Sequence, residues 1–335
     1  MDFGNVSLAL ALLVLLALAF DFMNGFHDAA NSIATVVSTG VLKPWQAVIW
    51  AAFFNVVAWA IFHLSVAATV GKGIVDPTFV DSRLIFGALI GAICWNLITW
   101  YYGIPSSSSH ALIGGLMGSA LIKTGTTALL WPGILKTAAF IFVSPLLGLV
   151  LGASIMLLLS WTLFRQTPRR VDRWFRRIQL FSSAAYSMGH GGNDAQKTMG
   201  VIWLLLIANG VTTADHLPVW VVMSCFFAMG LGTMFGGWRI VKTMGQRITK
   251  LRPVGGFAAE CAGSITLFMA THFGIPVSTT HTITGAIIGV GTVRGASAVR
   301  WGVAGNIVIA WLITIPASAA IAALGWWVGG TFFRG

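Results

Sequence analysis

Two similar polar motifs lie within strongly apolar stretches of the chain, and both contain groups that bind ions. The first, GFHDAANSIAT, contains Asp28 and Asn31, and the second, GHGGNDAQKTMG, contains Asn193, Asp194 and Lys197. An ionised side chain at the centre of a membrane helix costs roughly 3 kcal/mol, so it usually has a partner or faces a cavity. The motifs therefore indicate an ion or substrate site; the alternative is a structural polar cluster that holds helices together.

A second pair of motifs combines a proline, a hydroxyl cluster and a histidine. Pro105 in YGIPSSSSHALIGG and Pro276 in FGIPVSTTHTITGA each end an incoming helix, and the hydroxyl residues after them suit the N-cap of an outgoing helix. The clusters are Ser106, Ser107, Ser108 and Ser109 in the first motif, and Ser278, Thr279 and Thr280 in the second. Hydroxyls and free N–H groups at a helix N-terminus favour an oxyanion. The alternative is that the hydroxyls only bond their own helices.

Three other ionisable residues are candidates for the same site. His110 and His281 directly follow the hydroxyl clusters, and they either handle the ligand or a proton or are simply hydrogen-bonded. Glu260, the sole glutamate, is either an interfacial residue near a basic loop or part of an ion path.

The glycines around these motifs predict two kinds of local structure. Because glycine permits a helix to break, we expect breaks in the aspartate motifs, at glycines 25, 189, 191 and 192. Glycines spaced by four residues instead predict close helix packing, as for Gly114 with Gly118 and Gly285 with Gly289.

The composition predicts that helices in a membrane position these motifs. Of the 335 residues, 57% are hydrophobic and only 9% are charged, where soluble proteins carry about 25% charged residues. Long charge-free runs, each near or above the roughly 20 residues that a spanning helix needs, predict ten to twelve membrane segments. They lack the short alternating strands of a membrane barrel, so we expect an all-α polytopic membrane protein.

The net charge of +11 has an explanation other than nucleic acid. Eleven of the 20 lysines and arginines lie in two segments, residues 165–177 and 239–252. Cytoplasmic loops of membrane proteins carry such an excess of positive charge. No basic domain with aromatic residues accompanies these segments, so we expect no nucleic-acid partner.

The chain is duplicated, because both motif pairs recur in the same order at nearly the same spacing. Asp194 follows Asp28 by 166 residues, and Pro276 follows Pro105 by 171. The order predicts a first repeat at 1–164, a basic cytoplasmic linker at 165–177 and a second repeat at 178–335.

The two repeats are predicted to have inverted topology. The basic segment 239–252 has its first-half counterpart near 71–83, which carries two basic and two acidic residues. Equivalent loops with such different charge suggest opposite sides of the membrane. Inverted repeats are typical of secondary transporters, which hold the substrate near the membrane midplane.

Together, the four motifs resemble those of the inorganic phosphate transporter (PiT) family over essentially the whole chain. One departure is His27, where the family commonly has Asn before the Asp. The resemblance implies import of inorganic phosphate by symport with sodium or protons, broken helices, re-entrant hairpins and, in many members, a homodimer. It implies no cofactor and no enzymatic activity.

This resemblance and the residue chemistry suggest a division of roles. Asp28 and Asp194 would hold the coupling cation, with sodium between the two carboxylates and the anion or with protons on the carboxylates. Asn31, Asn193, Lys197 and the hydroxyl clusters would hold phosphate. The chain has no Gly-x-x-x-x-Gly-Lys motif for ATP, so an ion gradient is the expected energy source.

Three other functions fit parts of the sequence. A related oxyanion such as sulfate has the same tetrahedral geometry as phosphate. A serine hydrolase would use Ser106 to Ser109 with His110, but residues adjacent on one helix point apart. A channel or receptor is the third.

The expected location is a prokaryotic plasma (inner) membrane, which the chain crosses several times. Residues 84–122 and 261–293 are each compatible with a full crossing of the membrane and with a hairpin that turns back.

Overall fold

The computed structural model describes residues 7–333, which are almost entirely helical. These residues form an isolated bridge between Val75 and Leu129 but no β-strand. The helices are α1 (Leu8–Ser38), α2 (Pro44–Val57), α3 (Ser65–Gly73), α4 (Ser82–Tyr102), α5 (Ser108–Thr124), α6 (Trp131–Thr162), α7 (Pro168–Ala208), α8 (Val219–Phe235), α9 (Trp238–Lys242), α10 (Pro253–His272), α11 (Thr279–Thr292) and α12 (Trp301–Gly329). The prediction of an all-α fold is confirmed.

Several of these helices are suited to cross a membrane. Five of them, α1, α4, α6, α10 and α12, are long and apolar enough by themselves. Two broken pairs also qualify, α2 with α3 at a bend of 83° and α8 with α9 at 62°. The total of five to seven is below the ten to twelve expected segments, because α5 and α11 are short and α7 carries a polar motif. The protein is a multi-pass membrane protein with broken helices.

The order of elements repeats in the two halves. Each half has a long helix (α1 or α7), a broken pair, a helical hairpin (α4–α5 or α10–α11) and a final long helix (α6 or α12). Pro145 within α6 and Pro316 within α12 are separated by 171 residues, the offset of the hairpin motifs. The duplication seen in the sequence therefore extends to the architecture.

The equivalent helices α1 and α7 run antiparallel through the centre. Thr198 donates a hydrogen bond to Asp21 at 2.8 Å, and Thr39 donates one to Gln179 at 2.9 Å. As the residue number rises along α1, the number of its partner on α7 falls. This direction agrees with inverted repeats. Helix α7 begins at Pro168, inside the segment predicted as a linker, and the boundaries of the repeats stay a prediction.

Each hairpin packs against the final long helix of the other half. Helix α5 lies along α12, and α11 lies along α6. A Cβ atom at Gly118 would overlap the backbone of Ala319, and one at Gly285 would overlap the carbonyl of Pro145. The paired glycines therefore permit the close packing that the sequence predicts.

The expected breaks at the glycines of the aspartate motifs are wrong, because α1 and α7 are continuous through them. A Cβ at Gly25 would overlap the carbonyl of Met229 on α8, and one at Gly191 would overlap that of Asn55 on α2. These glycines thus permit close approach of neighbouring helices while the backbone hydrogen bonds continue. The breaks occur instead within the α2–α3 and α8–α9 pairs.

Candidate functional site

The tips of the two hairpins meet the middle of α1 and α7 inside the protein. Gly103 and Gly274, with φ of 67° and 63°, lie just past the incoming helices α4 and α10 in the left-handed region that favours glycine. Ser107 and Ser278 then cap the outgoing helices, because each Oγ accepts a hydrogen bond from a backbone N–H three residues later at 3.2 Å. The tip residues are buried beside α1 and α7, so both hairpins turn back inside the protein.

The second-half carboxylate, Asp194, lies in a dense hydrogen-bond network. Lys197 Nζ donates to its Oδ1 at 2.5 Å, and Thr279 Oγ1 donates to its Oδ2 at 3.0 Å. The same ammonium group donates to Ser109 Oγ at 2.5 Å and to the Val277 carbonyl at 2.6 Å. Lys197 therefore joins α7 to the tips of both hairpins.

The first-half carboxylate, Asp28, has a different set of neighbours. His27 Nδ1 lies 2.6 Å from Asp28 Oδ1, which also accepts a hydrogen bond from Ser108 Oγ at 3.2 Å. The other ring nitrogen of His27 lies 2.9 Å from Thr99 Oγ1, and Ser106 donates to that hydroxyl at 3.0 Å. His27 thus connects Asp28 to the α4–α5 hairpin.

The two asparagines predicted to bind substrate contact different parts of the second hairpin. Asn31 Nδ2 donates to the hydroxyls of Thr279 and Thr280 at 3.1 and 3.0 Å. Asn193 Nδ2 donates to Thr271 Oγ1 at 3.0 Å, near the end of α10, and to the Ile275 carbonyl at 3.3 Å, in the turn that follows. Asn31 therefore lies on the hydroxyl cluster, whereas Asn193 holds the end of the incoming helix and the turn after it.

The two carboxylates come together with a histidine that the sequence analysis missed. One ligand atom from each of Asp28, His190 and Asp194 lies within 4.8 Å of the other two. His190 precedes Asp194 by four residues, so both lie on one face of α7. This spacing is the feature of the sequence from which the contact could have been predicted. Ser32 Oγ lies 3.0 Å from His190 Nδ1. Two carboxylates at this separation can hold a cation between them.

His110 and His281 lie behind the hydroxyl clusters and contact each other. Their ring centroids are 4.8 Å apart, and His281 stacks on Trp311 at 3.8 Å. Within residues 7–333, neither ring hydrogen-bonds Asp28 or Asp194. Their predicted role in handling ligand or protons therefore has no direct contact to support it.

Comparison with known proteins identifies the family to which this architecture belongs. The model of the phosphate transporter family matches residues 24–322. The chain belongs to the phosphate transporter family. The family consists of transporters, which agrees with the prediction that the chain is not an enzyme. The sequence resemblance to the inorganic phosphate transporters is thus confirmed.

The transporter has close relatives in bacteria and a solved structural neighbour. It is 61% identical to a probable low-affinity inorganic phosphate transporter of Rhizobium meliloti, over 93% of this chain and 94% of that protein. It is 47% identical to a Bacillus subtilis protein with the same description, over 95% and 96% of the two chains. A structure described as the sodium-dependent phosphate transporter superimposes with a TM-score of 0.89 at 27% identity, over 98% of this chain and 100% of that one.

Glu260 lies outside this site, in a second buried polar cluster of the transporter. Its carboxylate accepts hydrogen bonds from Thr35 at 2.6 Å, Gln179 at 2.9 Å and Ser182 at 2.5 Å. The donors come from α1 and α7, so the cluster joins these helices to α10. Glu260 is fully buried, and nothing in these contacts connects it directly to Asp28 or Asp194.

The transporter is closed around its central site. Asp28 and Lys197 are each 2% exposed, and Asp194 is fully buried. A surface cavity of about 460 Å³ is lined in part by Thr99 and Pro105 of the α4–α5 hairpin, but by neither carboxylate. A ligand can therefore reach the carboxylates only when the hairpins or helices around them move.

Proposed function

We propose that this phosphate transporter imports inorganic phosphate by symport with sodium. The observation that carries the proposal is the meeting of Asp28 and Asp194 directly beside the N-termini of α5 and α11. Such a site offers acidic ligands for a cation and helix N-termini for an anion, within hydrogen-bond distance of each other.

Phosphate would bind at the hairpin tips. Ser108 and Thr279 begin α5 and α11, and both donate to the carboxylates in this closed state. Their hydroxyls, with the first N–H groups of both helices, are suited to an oxyanion once they turn away from the carboxylates. Asn31 supplies a further donor at the same place, whereas the ammonium group of Lys197 would offset the charge of phosphate from its position on Asp194. Asn193 would act by positioning α10.

Sodium would bind at Asp28, on the side where Asp194 approaches it. Asp28 and Asp194 would repel phosphate unless a cation lies between them. The solved neighbour is described as sodium-dependent, and its likeness to this chain supports sodium over the proton. When cation and anion are both bound, their charges offset each other, which favours the movement that opens the site to the other side.

The membrane would be the plasma (inner) membrane of a prokaryote. The relatives from Rhizobium meliloti and Bacillus subtilis are bacterial, and the arginines near the start of α7 are typical of a cytoplasmic side.

Uptake by purified protein in proteoliposomes tests this function. Radiolabelled phosphate should accumulate when an inward sodium gradient is imposed, and excess unlabelled sulfate should not compete. Accumulation that requires a proton gradient instead would overturn sodium coupling, and inhibition by sulfate would favour the broader oxyanion class. Phosphate uptake that depends on neither the sodium gradient nor the proton gradient would indicate a channel.

A further inference from the structure

The two halves of the central site differ at one position with a clear chemical consequence. The 166-residue offset that aligns Asp28 with Asp194 also aligns Asn31 with Lys197. In both helices the residue follows the aspartate by three positions and therefore lies on the same face. The first half thus offers an amide where the second half offers an ammonium group.

Three oxygen atoms surround the ammonium group of Lys197. Its Nζ lies 2.5 Å from Asp194 Oδ1, 2.5 Å from Ser109 Oγ and 2.6 Å from the Val277 carbonyl. The three donors of an ammonium group are therefore all used. A carboxylate, a hydroxyl and a carbonyl are also the oxygen types that surround a bound hard cation in proteins. The side chain is 2% exposed, so its charge is held inside the protein.

The first half has no comparable permanent charge. Among residues 7–333, the ion-pair contact of Asp28 is with His27, whereas Asp194 contacts His190 and Lys197. In residues 7–333, no lysine or arginine forms an ion pair with Asp28. Asp194 is therefore balanced by a fixed cation, and Asp28 is the carboxylate left for an exchangeable one.

We propose that Lys197 is a tethered cation that takes the place of one coupling cation. The inference rests on the proposed cation-coupled symport and specifies how many cations it uses. Lys197 travels with the protein and contributes nothing to the driving force. A site with asparagine at this position would need one more mobile cation for each phosphate.

The variant Lys197→Asn, which copies the residue of the first half, tests this directly. With asparagine, the three oxygen atoms that surround the ammonium group remain and the amide oxygen is added to them, so a second sodium ion should bind. Binding of radioactive sodium to purified protein at saturating phosphate should rise by one ion per chain. The Hill coefficient of phosphate uptake for sodium should rise from about one to about two. Lys197→Met, which supplies neither charge nor oxygen, should lose uptake at all sodium concentrations.

A second variant keeps the test informative if Lys197→Asn does not give a monodisperse protein. Asp194→Asn combined with Lys197→Met removes both charges of the ion pair and leaves the net charge of the site unchanged. Its sodium binding per chain should equal that of the parent protein, because the carboxylate of Asp28 remains and the lost carboxylate held the tethered cation. One sodium ion fewer than in the parent would overturn the inference, since Asp194 would then hold a mobile ion.

The outcomes separate this inference from the proposed function. Parent protein that takes up phosphate without any cation gradient would refute the symport itself. Parent protein that is sodium-coupled, with an unchanged number of sodium ions in Lys197→Asn, would refute only the role of Lys197. A gain of one sodium ion in Lys197→Asn, absent in Lys197→Met, supports it.

Discussion

The contact between α5 and α12 predicts that a single methyl group will disturb the central site. In the structure, a Cβ atom at Gly118 would lie 2.6 Å from the Cα of Ala319, whereas carbon atoms in contact are normally about 3.5–4.0 Å apart. The variant Gly118→Ala must therefore move the two helices apart by about 1 Å. Helix α5 begins with Ser108, which donates to Asp28 at 3.2 Å, so the shift should reach the hairpin tip.

The size of the effect follows from the cost of overpacking. Adding a methylene group to a closely packed interface typically costs about 1–3 kcal/mol. We expect the thermal midpoint of Gly118→Ala in detergent to fall accordingly. We also expect phosphate uptake per correctly folded protein to fall, because the hydroxyl cluster no longer lies at the right distance from the carboxylates.

Gly305→Ala on α12 is the matched control. A Cβ atom at Gly305 meets nothing within 4 Å, and alanine favours a helix over glycine by up to about 1 kcal/mol. Its thermal midpoint should stay constant or rise, with normal uptake. Thermal unfolding followed by tryptophan fluorescence and uptake in proteoliposomes would compare the two variants. If Gly118→Ala were as stable and active as Gly305→Ala, the close packing of α5 on α12 would be refuted.

Three further predictions concern the polar residues. Asp28→Asn should reduce phosphate uptake in proteoliposomes to background, and normal uptake by this variant would contradict the cation site. Asp172→Asn is the control and should keep normal uptake, because Asp172 lies in an exposed ion pair worth at most about 1 kcal/mol. Glu260→Gln should lower the thermal midpoint, because three donors face this carboxyl group and an NH2 group in place of one oxygen cannot accept their hydrogen bonds. A buried donor left without a partner costs about 1–3 kcal/mol. An unchanged midpoint would contradict this role of the cluster. Ser107→Ala should lower the stability of the protein by about 1 kcal/mol, because α5 loses its N-cap. It should also raise the phosphate concentration that gives half-maximal uptake. If this concentration were unchanged, the hairpin tip would not be part of the substrate site.

Features encoded by local sequence were predictable. The N-caps at Ser107 and Ser278 follow from hydroxyl residues after a Gly-Ile-Pro stop, and capping depends only on neighbouring residues. The glycine pairs in α5 and α11 indicate close packing because a missing Cβ has the same effect in any helix. The duplication could be seen because both motif pairs recur at nearly constant spacing.

Features that depend on tertiary contacts could not be predicted from the sequence. The contact of His27 with Thr99 joins residues 72 positions apart, and no local pattern indicates which way the ring faces. His190 enters the carboxylate cluster only because α1 and α7 cross at that level. The glycines of the aspartate motifs are equally compatible with a break and with close packing, and the approach of α2 and α8 decides between the two.

The most direct test of the central claim is whether sodium and phosphate bind together at Asp28 and Asp194. Isothermal titration calorimetry of phosphate into the purified protein would be done in sodium and in choline buffers of equal ionic strength. Sodium should tighten phosphate binding, and phosphate should tighten sodium binding by the same factor, since coupling between two ligands is reciprocal. Both effects should vanish in Asp28→Asn. Phosphate binding that is equally tight in both buffers, or coupling that persists in Asp28→Asn, would contradict the central claim.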